Sequence, residues 1–234
     1  MKKNNLLIAI DGPSASGKST LGKLVAKELG YLYIDTGAIY RAITWKALKN
    51  NLDLKDERLM QKLVSETQLS IKKVNDNEEY FQILVDGKDV TKEIRNPEID
   101  QNVSQLARLP AVRQQLISLQ RNLAKNGKVI MEGRDIGSVI LPNADIKLFF
   151  TAPEEERVRR RYQELKDKGY EISYEEVREQ IIKRDLIDSS RGCAPLIKTE
   201  DAIVIDSTNK NIEEVKNDVL TIIKKILKSR EAIK

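Results

Sequence analysis

Residues 12–19 read GPSASGKS, and both the residue types and their spacing suit the binding of a polyphosphate. The string fits the pattern G-x-x-x-x-G-K-[ST] of a P-loop, with an apolar run before it and an amphipathic stretch after it. Backbone N–H groups of such a loop point at phosphate oxygens, and the next helix adds its positive end. Lys18 is expected to contact the β- and γ-phosphates, and the Ser19 hydroxyl to ligate Mg²⁺.

A P-loop alone does not distinguish kinases, GTPases and other ATPases. The nearest string to the base-selecting motif N-K-x-D is Asn209-Lys210-Asn211-Ile212, which lacks the aspartate and argues against a GTPase. We find no obvious apolar strand that ends in a Walker B acid. Asp35, directly after the run Tyr31–Ile34, is the nearest candidate for a water-mediated role on the metal.

The composition restricts the chemistry further. The chain has no histidine and one cysteine, Cys193, which excludes a Ser-His triad, a histidine zinc site and an intramolecular disulfide. The reaction must therefore use acids, arginines, lysines, hydroxyls, backbone groups or a bound metal. The net charge of +5 suits an anionic ligand but does not identify it. The first apolar run, Leu6–Ile10, is too short for a signal sequence, so we expect a cytoplasmic protein.

Three groups of arginine and aspartate accompany the P-loop. They are Tyr40-Arg41 after Asp35-Thr36-Gly37, Glu132-Gly133-Arg134-Asp135 after Val129–Met131, and the run from Arg184 to Arg191. Guanidinium groups bind phosphate oxygens bidentately, and several around one phosphoryl group stabilise its charge. A single arginine is more often a surface residue, but three groups beside a P-loop favour a phosphoryl-transfer site.

Five short apolar runs, interrupted by amphipathic stretches, are expected to position these residues. Such runs are typical of parallel strands that are buried on both faces. They predict an α/β fold, a three-layer α/β/α arrangement around a central five-stranded parallel sheet. The predicted strands are Leu6–Ile10, Tyr31–Ile34, Val129–Met131, Ile146–Phe150 and Ala202–Ile205.

Helix signals lie between the strands, and one segment interrupts the alternation. Pro110 and Pro153 each begin an amphipathic stretch, the first extending to about Asn126. The segment Leu69–Val90 predicts short strands with turns instead, and we interpret it as the β part of an insert over about 69–110. Capping boxes at Ser173 with Glu176 and at Asn211 with Glu214 predict two further helix starts, and the turns are predicted at Asn75-Asp76-Asn77 and Asp86-Gly87.

Four strings together resemble those of bacterial cytidylate kinases. They are GPSASGKST, DTGAIYRA, EGRDIG and RDLIDSSRGCAPL, and the resemblance extends through nearly the whole chain. It implies a single P-loop kinase domain with a small nucleoside-monophosphate-binding insert and a helical lid. The implied core is 1–68, 111–167 and 196–234, the insert about 69–110 and the lid about 168–195.

The resemblance also implies a reaction, transfer of the γ-phosphoryl group of ATP to CMP or dCMP with Mg²⁺. The catalytic residues it implies are Lys18, Arg134, Arg184 and Arg191. The ATP-binding residues are Gly12, Pro13, Ser14, Ala15, Ser16, Gly17, Lys18, Ser19, Thr20, Arg157 and Arg161, with Ser19 on the metal. The CMP-binding residues are Thr36, Tyr40, Arg41, Ser104, Arg113, Arg134, Asp135, Arg184, Asp188 and Arg191.

Within this set, the resemblance assigns Arg41, Arg134 and Arg191 to the acceptor phosphate, and Ser104, Arg113 and Asp135 to cytosine. A carboxylate at Asp135 accepts a hydrogen bond from the N4 amino group of cytosine and repels the carbonyl oxygen of uracil. Without the resemblance, Ser104 reads as a helix cap or surface hydroxyl and Arg113 as a solvated helix residue.

Other interpretations remain open at this point. A kinase for UMP or another small acceptor belongs to the same class. A P-loop ATPase that binds nucleic acid would use the basic surface, although the chain lacks a basic stripe rich in aromatic residues. A nucleotide sensor would bind ATP without transfer. We expect a monomer with ATP and CMP or dCMP as its partners, and neither nucleic acid nor membrane.

Overall fold

The computed structural model describes residues 5–73 and 81–232. Contacts divide the chain into two compact units. Unit 1 comprises Met1–Ile34, Ala124–Ser190 and Ala194–Lys234, and unit 2 comprises Asp35–Leu123 and Arg191–Cys193. The strands in chain order are β1 (Leu7–Asp11), β2 (Leu32–Asp35), β3 (Leu69–Lys73), β4 (Phe81–Val85), β5 (Lys88–Asp89), β6 (Val129–Gly133), β7 (Ile146–Thr151) and β8 (Ile203–Asp206).

A five-stranded sheet of order β2-β6-β1-β7-β8 lies at the centre of the predicted core. The ladders from β1 to β6, from β1 to β7 and from β7 to β8 are parallel. Ile8, Ile10, Ile130 and Met131 are fully buried, as expected for strands covered on both faces. The α/β fold with a central five-stranded sheet is therefore confirmed, and each predicted strand is present within one or two residues of its expected bounds.

Helices follow the strands of unit 1 and begin where their caps predict. The Ser173 N–H and hydroxyl donate to Glu176 at 2.7 and 2.8 Å, and Asn211 and Glu214 form the second predicted box. The helices of the chain are α1 (Lys18–Leu29), α2 (Thr36–Lys49), α3 (Glu57–Ser65), α4 (Pro97–Ala107), α5 (Pro110–Ala124), α6 (Glu154–Asp167), α7 (Tyr174–Ser190) and α8 (Ile212–Ala232).

Unit 2 packs helices around its own apolar core. Residues from α2, α3, α4 and α5 meet there, among them Ile43, Met60, Leu106 and Val112. The antiparallel sheet β3-β4-β5 confirms the predicted short strands. Asp86 and Gly87 both have positive φ, 51° and 81°, as a two-residue hairpin turn requires. The turn predicted at Asn75-Asp76-Asn77 lies outside the described residues.

The division by contacts differs from the bounds derived from the sequence. Helices α2 and α3, together with most of α5, group with the insert strands, so unit 2 is larger than the predicted insert at 69–110. The segment 168–195 contains the whole of α7 and is therefore largely helical. The division into core, insert and lid by function stays a prediction. Across residues 5–73 and 81–232, no helix is long and apolar enough to cross a membrane.

Candidate active site

The loop between β1 and α1 has the backbone shape of a phosphate cradle. Gly12 has φ 147°, and a Cβ there would lie 2.2 Å from the carbonyl oxygen of Phe150 on β7. Gly17 has φ 89° and is the N-cap of α1. Both positions therefore require glycine, because a side chain would clash at the first and strain the backbone at the second. The loop leads directly into the N-terminus of a helix, where anions are stabilised.

Lys18, the first residue of α1, is buried with 6% of its surface exposed. Its Nζ atom donates to the carbonyl oxygen of Pro13 at 2.6 Å and to the Ser16 hydroxyl at 3.2 Å. Burial and the positive charges of Arg134 and Arg184 lower the pKa of Lys18 to about 7, although Glu132 opposes them. The ammonium group therefore lacks full compensation within the protein, and a polyphosphate would supply the missing negative charge.

The Ser19 hydroxyl identifies an acid that the sequence analysis missed. It donates to the Oε1 atom of Glu132 at 2.5 Å. Glu132 directly follows the buried run Val129–Met131 on β6, which lies beside β1. An apolar strand that ends in an acid beside the P-loop is the Walker B arrangement, so our statement that none is obvious was wrong. The signal was the string Val-Ile-Met-Glu, in which we had placed Glu132 in the polar group after the strand without giving it a role on the metal.

Ser19 and Glu132 also offer a test of whether this site suits Mg²⁺. The pair supplies a hydroxyl and a carboxylate, the hard oxygen ligands that Mg²⁺ prefers. Their oxygens are already close together, and Ser19 is exposed to solvent. The chemistry of the donor atoms therefore fits the ion that a P-loop enzyme uses with ATP.

Arg134 and Asp188 form a pair in unit 1 that joins β6 to α7. Arg134 directly follows β6, and its Nε atom donates to Oδ2 of Asp188 at 2.8 Å. A second bond runs from Nη1 to the carbonyl oxygen of Gly133 at 3.2 Å. Burial opposes the charged form, but the carboxylate of Asp188 raises the pKa of Arg134 above its ordinary value. The structure thus brings Lys18, Arg134 and Asp188 into one electrostatic neighbourhood, together with Arg184.

Asp135 precedes a turn whose backbone is bound by a second acid, Asp11, which the sequence analysis did not select. It is buried and precedes a single π-helical turn, Ile136–Ile140. The Asp11 carboxylate, at the end of β1, accepts from the N–H groups of Ile136 and Gly137 at 2.8 and 2.7 Å. Burial raises the pKa of Asp11 to about 6 despite these two hydrogen bonds. Asp11 therefore connects the start of the P-loop to the turn after Asp135.

The arginines of α6 differ in their relation to the P-loop. Arg157 is buried, donates to the carbonyl oxygen of Ser14 at 3.2 Å and pairs with Asp185. Arg161 pairs with Glu164 at 2.8 Å, on its own helix. Arg160, which we did not select, donates to the Ser207 hydroxyl at 2.9 Å, and its Nη1 atom would lie 3.8 Å from a Cβ at Gly17. Arg157 and Arg160 both reach the loop in this structure, and the ATP-binding role of Arg161 stays a prediction.

In unit 2, Asp35 organises the start of α2. Its Oδ1 atom accepts from the N–H of Ala38 at 3.0 Å, which caps the helix. Its Oδ2 atom accepts from Nη2 of Arg41 and from Nη2 of Arg95, each at 2.7 Å. Burial favours the protonated carboxyl, but the two guanidinium groups outweigh it and lower the pKa of Asp35 below its ordinary range. Both carboxylate oxygens are thus engaged with groups of unit 2.

The remaining predicted residues of unit 2 are largely buried. Arg113 is 1% exposed, donates to the carbonyl oxygen of Ala107 at 2.8 Å and lies 5.3 Å from the ring centre of Tyr40. A solvated helix residue is therefore the wrong reading of Arg113. Ser104 is buried on α4 and does not cap that helix, because the N-cap residue is Asn96. The structure also buries Thr36 and Arg191.

The described contacts thus arrange the predicted residues in two groups. Unit 1 holds the loop Gly12–Thr20 with Arg134, Asp135, Arg157, Arg161, Arg184 and Asp188. Unit 2 holds Thr36, Tyr40, Arg41, Ser104, Arg113 and Arg191. The sequence analysis assigned no individual role to Asp11, Glu132, Arg160 or Arg95.

The cradle, the buried Lys18 and the Ser19–Glu132 pair, set at the ends of adjacent parallel strands, define a P-loop nucleotide-binding protein of the α/β class. The sequence model of one family, cytidylate kinase, matches residues 8–225. The chain therefore belongs to the cytidylate kinase family and is a phosphotransferase of the nucleoside monophosphate kinase class.

Curated relatives agree with this assignment over nearly their full length. A cytidylate kinase of Caldicellulosiruptor bescii is 48% identical over 98% of this chain and 99% of its own. One of Caldanaerobacter subterraneus subsp. tengcongensis is 50% identical over 93% and 94%. One of Bacillus subtilis is 46% identical over 93% and 96%.

Solved structures support the fold alone. A gluconokinase from Sinorhizobium meliloti has a TM-score of 0.50 at 13% identity and covers 97% of both chains. An uncharacterised protein from Eubacterium ventriosum has a TM-score of 0.52 at 12% identity, over 94% of this chain and 99% of its own.

Proposed function

We propose that this chain transfers the γ-phosphoryl group of ATP to CMP or dCMP, giving ADP and CDP or dCDP. Its family supports the reaction, and the observation that carries it is the buried Lys18 at the start of α1, directly after a loop with the backbone shape of a phosphate cradle. Phosphoryl transfer needs little covalent help from a protein, because positioning and neutralisation of spread negative charge supply most of the catalysis. A group of buried cations around a P-loop provides both.

On the donor side, Gly12–Thr20 binds the phosphates of ATP, with Arg157 and Arg161 as additional contacts. Ser19 and Glu132 would hold Mg²⁺, which neutralises phosphate charge when bound. Lys18 contacts the phosphoryl group that is transferred, and its ammonium charge becomes favourable once the polyphosphate is present. The contact of Arg157 with the carbonyl oxygen of Ser14 supports its placement on this side.

On the acceptor side, Arg41, Arg134 and Arg191 bind the phosphate of CMP. Arg184 and Asp188 serve the ribose and the transfer step. Thr36 and Tyr40 line the acceptor site, and the base is read by Ser104, Arg113 and Asp135. The burial of Arg113 and Asp135 supports the last assignment, because a hydrogen bond to a buried charge discriminates strongly between cytosine and uracil.

The reaction needs no general base, which agrees with a chain that has no histidine. A nucleotide phosphate is mostly dianionic at neutral pH because its second pKa is about 6. It attacks the γ-phosphorus directly once charge repulsion is screened. Water must be excluded to prevent hydrolysis of ATP, and we assign this to the segment 168–195, which contains α7.

An assay of ADP release with CMP, dCMP, UMP, AMP and shikimate as acceptors tests the reaction. We expect efficient transfer to CMP and dCMP and at least about tenfold lower kcat/KM for UMP, since one charged hydrogen bond is lost. Preference for UMP, AMP or shikimate, or ATP hydrolysis that no acceptor stimulates, would overturn the proposal.

The phosphate assignment has its own test. Arg134→Ala and Arg191→Ala should each lower kcat/KM for CMP by about 100-fold or more, a loss typical of a transition-state charge contact. Arg159→Ala is the matched control, because Arg159 is exposed and pairs only with Glu156 on its own helix in the described structure. Normal turnover in both variants would contradict the assignment.

We also propose that the enzyme acts as a monomer in the cytoplasm, with nucleotides as its partners. Unit 1 and unit 2 each bury their own apolar core, and the exposed large apolar residues are few among those described. Light scattering coupled to size-exclusion chromatography at assay concentration should give a mass near 26.7 kDa. A mass of twice this value would contradict a monomer.

A further inference from the structure

Asp35, Arg41 and Arg95 form a charged group in unit 2 that we call the Asp35 cluster. Two guanidinium groups share a single carboxylate oxygen, each at 2.7 Å. Two cationic groups and one carboxylate thus meet at a single oxygen atom. It lies at the N-terminus of α2, where the helix dipole adds further positive potential. Two guanidinium groups at the N-terminus of a helix form a place where an anion is stabilised.

The side chain of Arg41 indicates where that anion would bind. Arg41 is 7% exposed, and its Nε atom is buried without a hydrogen-bond partner in the part of the chain that the structure describes. A buried donor without an acceptor is unfavourable, and natural proteins rarely retain one outside a functional site. Gly37 leaves room for the guanidinium group, since a Cβ there would lie 3.1 Å from Nη1 of Arg41. An oxyanion would give this donor its acceptor.

Arg95 comes from a different part of unit 2, just before α4, and its side chain is 42% exposed. It therefore presents a cation to solvent at the same carboxylate that holds Arg41. We propose that Arg95 is a further ligand of the acceptor phosphate and that Asp35 positions it beside Arg41. This inference rests on the proposed function, because the anion is taken to be the phosphate of CMP.

The competing explanation is that Arg95 only stabilises unit 2 through its ion pair. The two roles differ in what they do to ligands with and without a phosphate group. Replacing a residue that binds the phosphate weakens the binding of CMP and leaves the binding of cytidine unchanged. Replacing a structural residue weakens the binding of both. The ratio of the two affinities therefore reports on the phosphate contact itself.

The experiment measures KM and kcat for CMP at saturating ATP, and the inhibition constant of cytidine against CMP, in three variants. We expect Arg95→Ala to raise KM for CMP about tenfold or more, as for loss of a charged hydrogen bond, and to change the constant for cytidine less than about twofold. Arg95→Lys, which keeps the charge without the planar fork, should be intermediate. Arg108→Ala, an exposed arginine at the end of α4, should match the parent protein.

Two outcomes would overturn the inference: an unchanged KM for CMP in Arg95→Ala, or equal losses for CMP and cytidine. If Arg95→Ala fails to fold by circular dichroism, Arg95→Lys decides, since a phosphate ligand still predicts a selective rise for CMP. Failure of the proposed function is a separate result, because the parent protein itself would then show no transfer to CMP.

Discussion

In unit 1, Lys18 is buried near Arg134 and Arg184, whereas in unit 2 the half-buried Asp35 pairs with both Arg41 and Arg95. Burial and like charges lower the pKa of Lys18 to about 7, so its charged form is held at a cost to the folded state. The two arginines lower the pKa of Asp35, so its charged form stabilises unit 2. Lys18 therefore gains most from an external anion, whereas Arg41 and Arg95 already share an internal one.

This difference agrees with the proposed function, in which Lys18 binds ATP and Arg41 binds the acceptor. ATP brings several negative charges to one loop, and a site with incomplete compensation gains most when they arrive. A nucleoside monophosphate brings only two charges, and its arginines must already be ordered to bind it well. Asp35 provides that order for Arg41 and Arg95 at the start of α2.

The largest expected effect tests the donor side. Lys18→Met should lower kcat by about 1,000-fold or more, because the cation that steadies the transferred phosphoryl group is lost. Its unfolding free energy should nevertheless be unchanged or higher, since an unfavourable buried charge is removed. Steady-state kinetics and thermal unfolding measure the two quantities. A loss of stability above about 1 kcal/mol would contradict the incomplete compensation of Lys18.

The opposite effect on stability, a lower unfolding free energy, is expected when Asp35 is replaced. Asp35→Asn should lower the unfolding free energy by about 3 kcal/mol at pH 7, because Arg41 is left buried without its counter-ion. The folded-state pKa of Asp35 is lowered, so its stabilising effect is complete above the unfolded value of about 3.9 and is lost as pH falls below it. Denaturant unfolding at pH 7 and at pH 3 should therefore show a smaller difference between variant and parent at pH 3.

Asp56→Asn is the matched control for that prediction. Asp56 caps α3 through the N–H of Leu59, just as Asp35 caps α2, but it is not bonded to an arginine in any described contact. Its replacement should cost less than about 1 kcal/mol, because asparagine is also a good N-cap. Equal losses for the two variants would show that capping, and not the arginines, explains the role of Asp35.

The sequence predicted those parts of the site that depend on local pattern. The P-loop, the buried strands and the capping boxes are each contained within a few residues, and the structure confirms them. Glu132 was missed although it stands directly after Val129–Met131, because its contact with Ser19 exists only once β6 lies beside β1. The string Val-Ile-Met-Glu indicated the acid itself, but its partner Ser19 lies 113 positions away and is not indicated by any local pattern.

The site residues of unit 2 were also hard to predict, because their contacts join residues that are far apart in the chain. Arg95 lies in an ordinary polar stretch, and its partner Asp35 is 60 residues away. Ser104 and Arg113 were selected only through the resemblance, since each has an ordinary reading on a helix. The helix α4 carried a clear local signal in Asn96-Pro97, which we did not use because the insert was interpreted through its strands.

A smaller effect is expected for base selection, which the proposed function assigns in unit 1 to Asp135. Asp135→Asn should reduce the preference for CMP over UMP in kcat/KM by about tenfold to 100-fold, because an amide no longer repels the uracil carbonyl. Asp167→Asn, an exposed carboxylate on α6, is the control and should not change the ratio. An unchanged ratio in Asp135→Asn would remove Asp135 from base recognition.

The smallest expected effect is the uptake of a proton when ATP binds, and it tests the charge of Lys18 directly. With a pKa of about 7, Lys18 is mostly neutral at pH 8 in the free protein. Bound ATP favours its charged form, so binding at pH 8 should take up close to one proton. Calorimetry in two buffers of different ionisation enthalpy measures the uptake. The phosphates of ATP contribute little, since they are already deprotonated at this pH.

The variant Lys18→Arg tests whether Lys18 is the group that takes up this proton. Arginine keeps its charge at pH 8 whether or not ATP is bound, so the variant should take up almost no proton even if its affinity is altered. Equal uptake by parent and variant would assign the proton to another group, with Asp11 the first to examine because its pKa is also raised. The contrast between the units would then rest on Asp35 alone, since Lys18 would be fully charged before ATP binds.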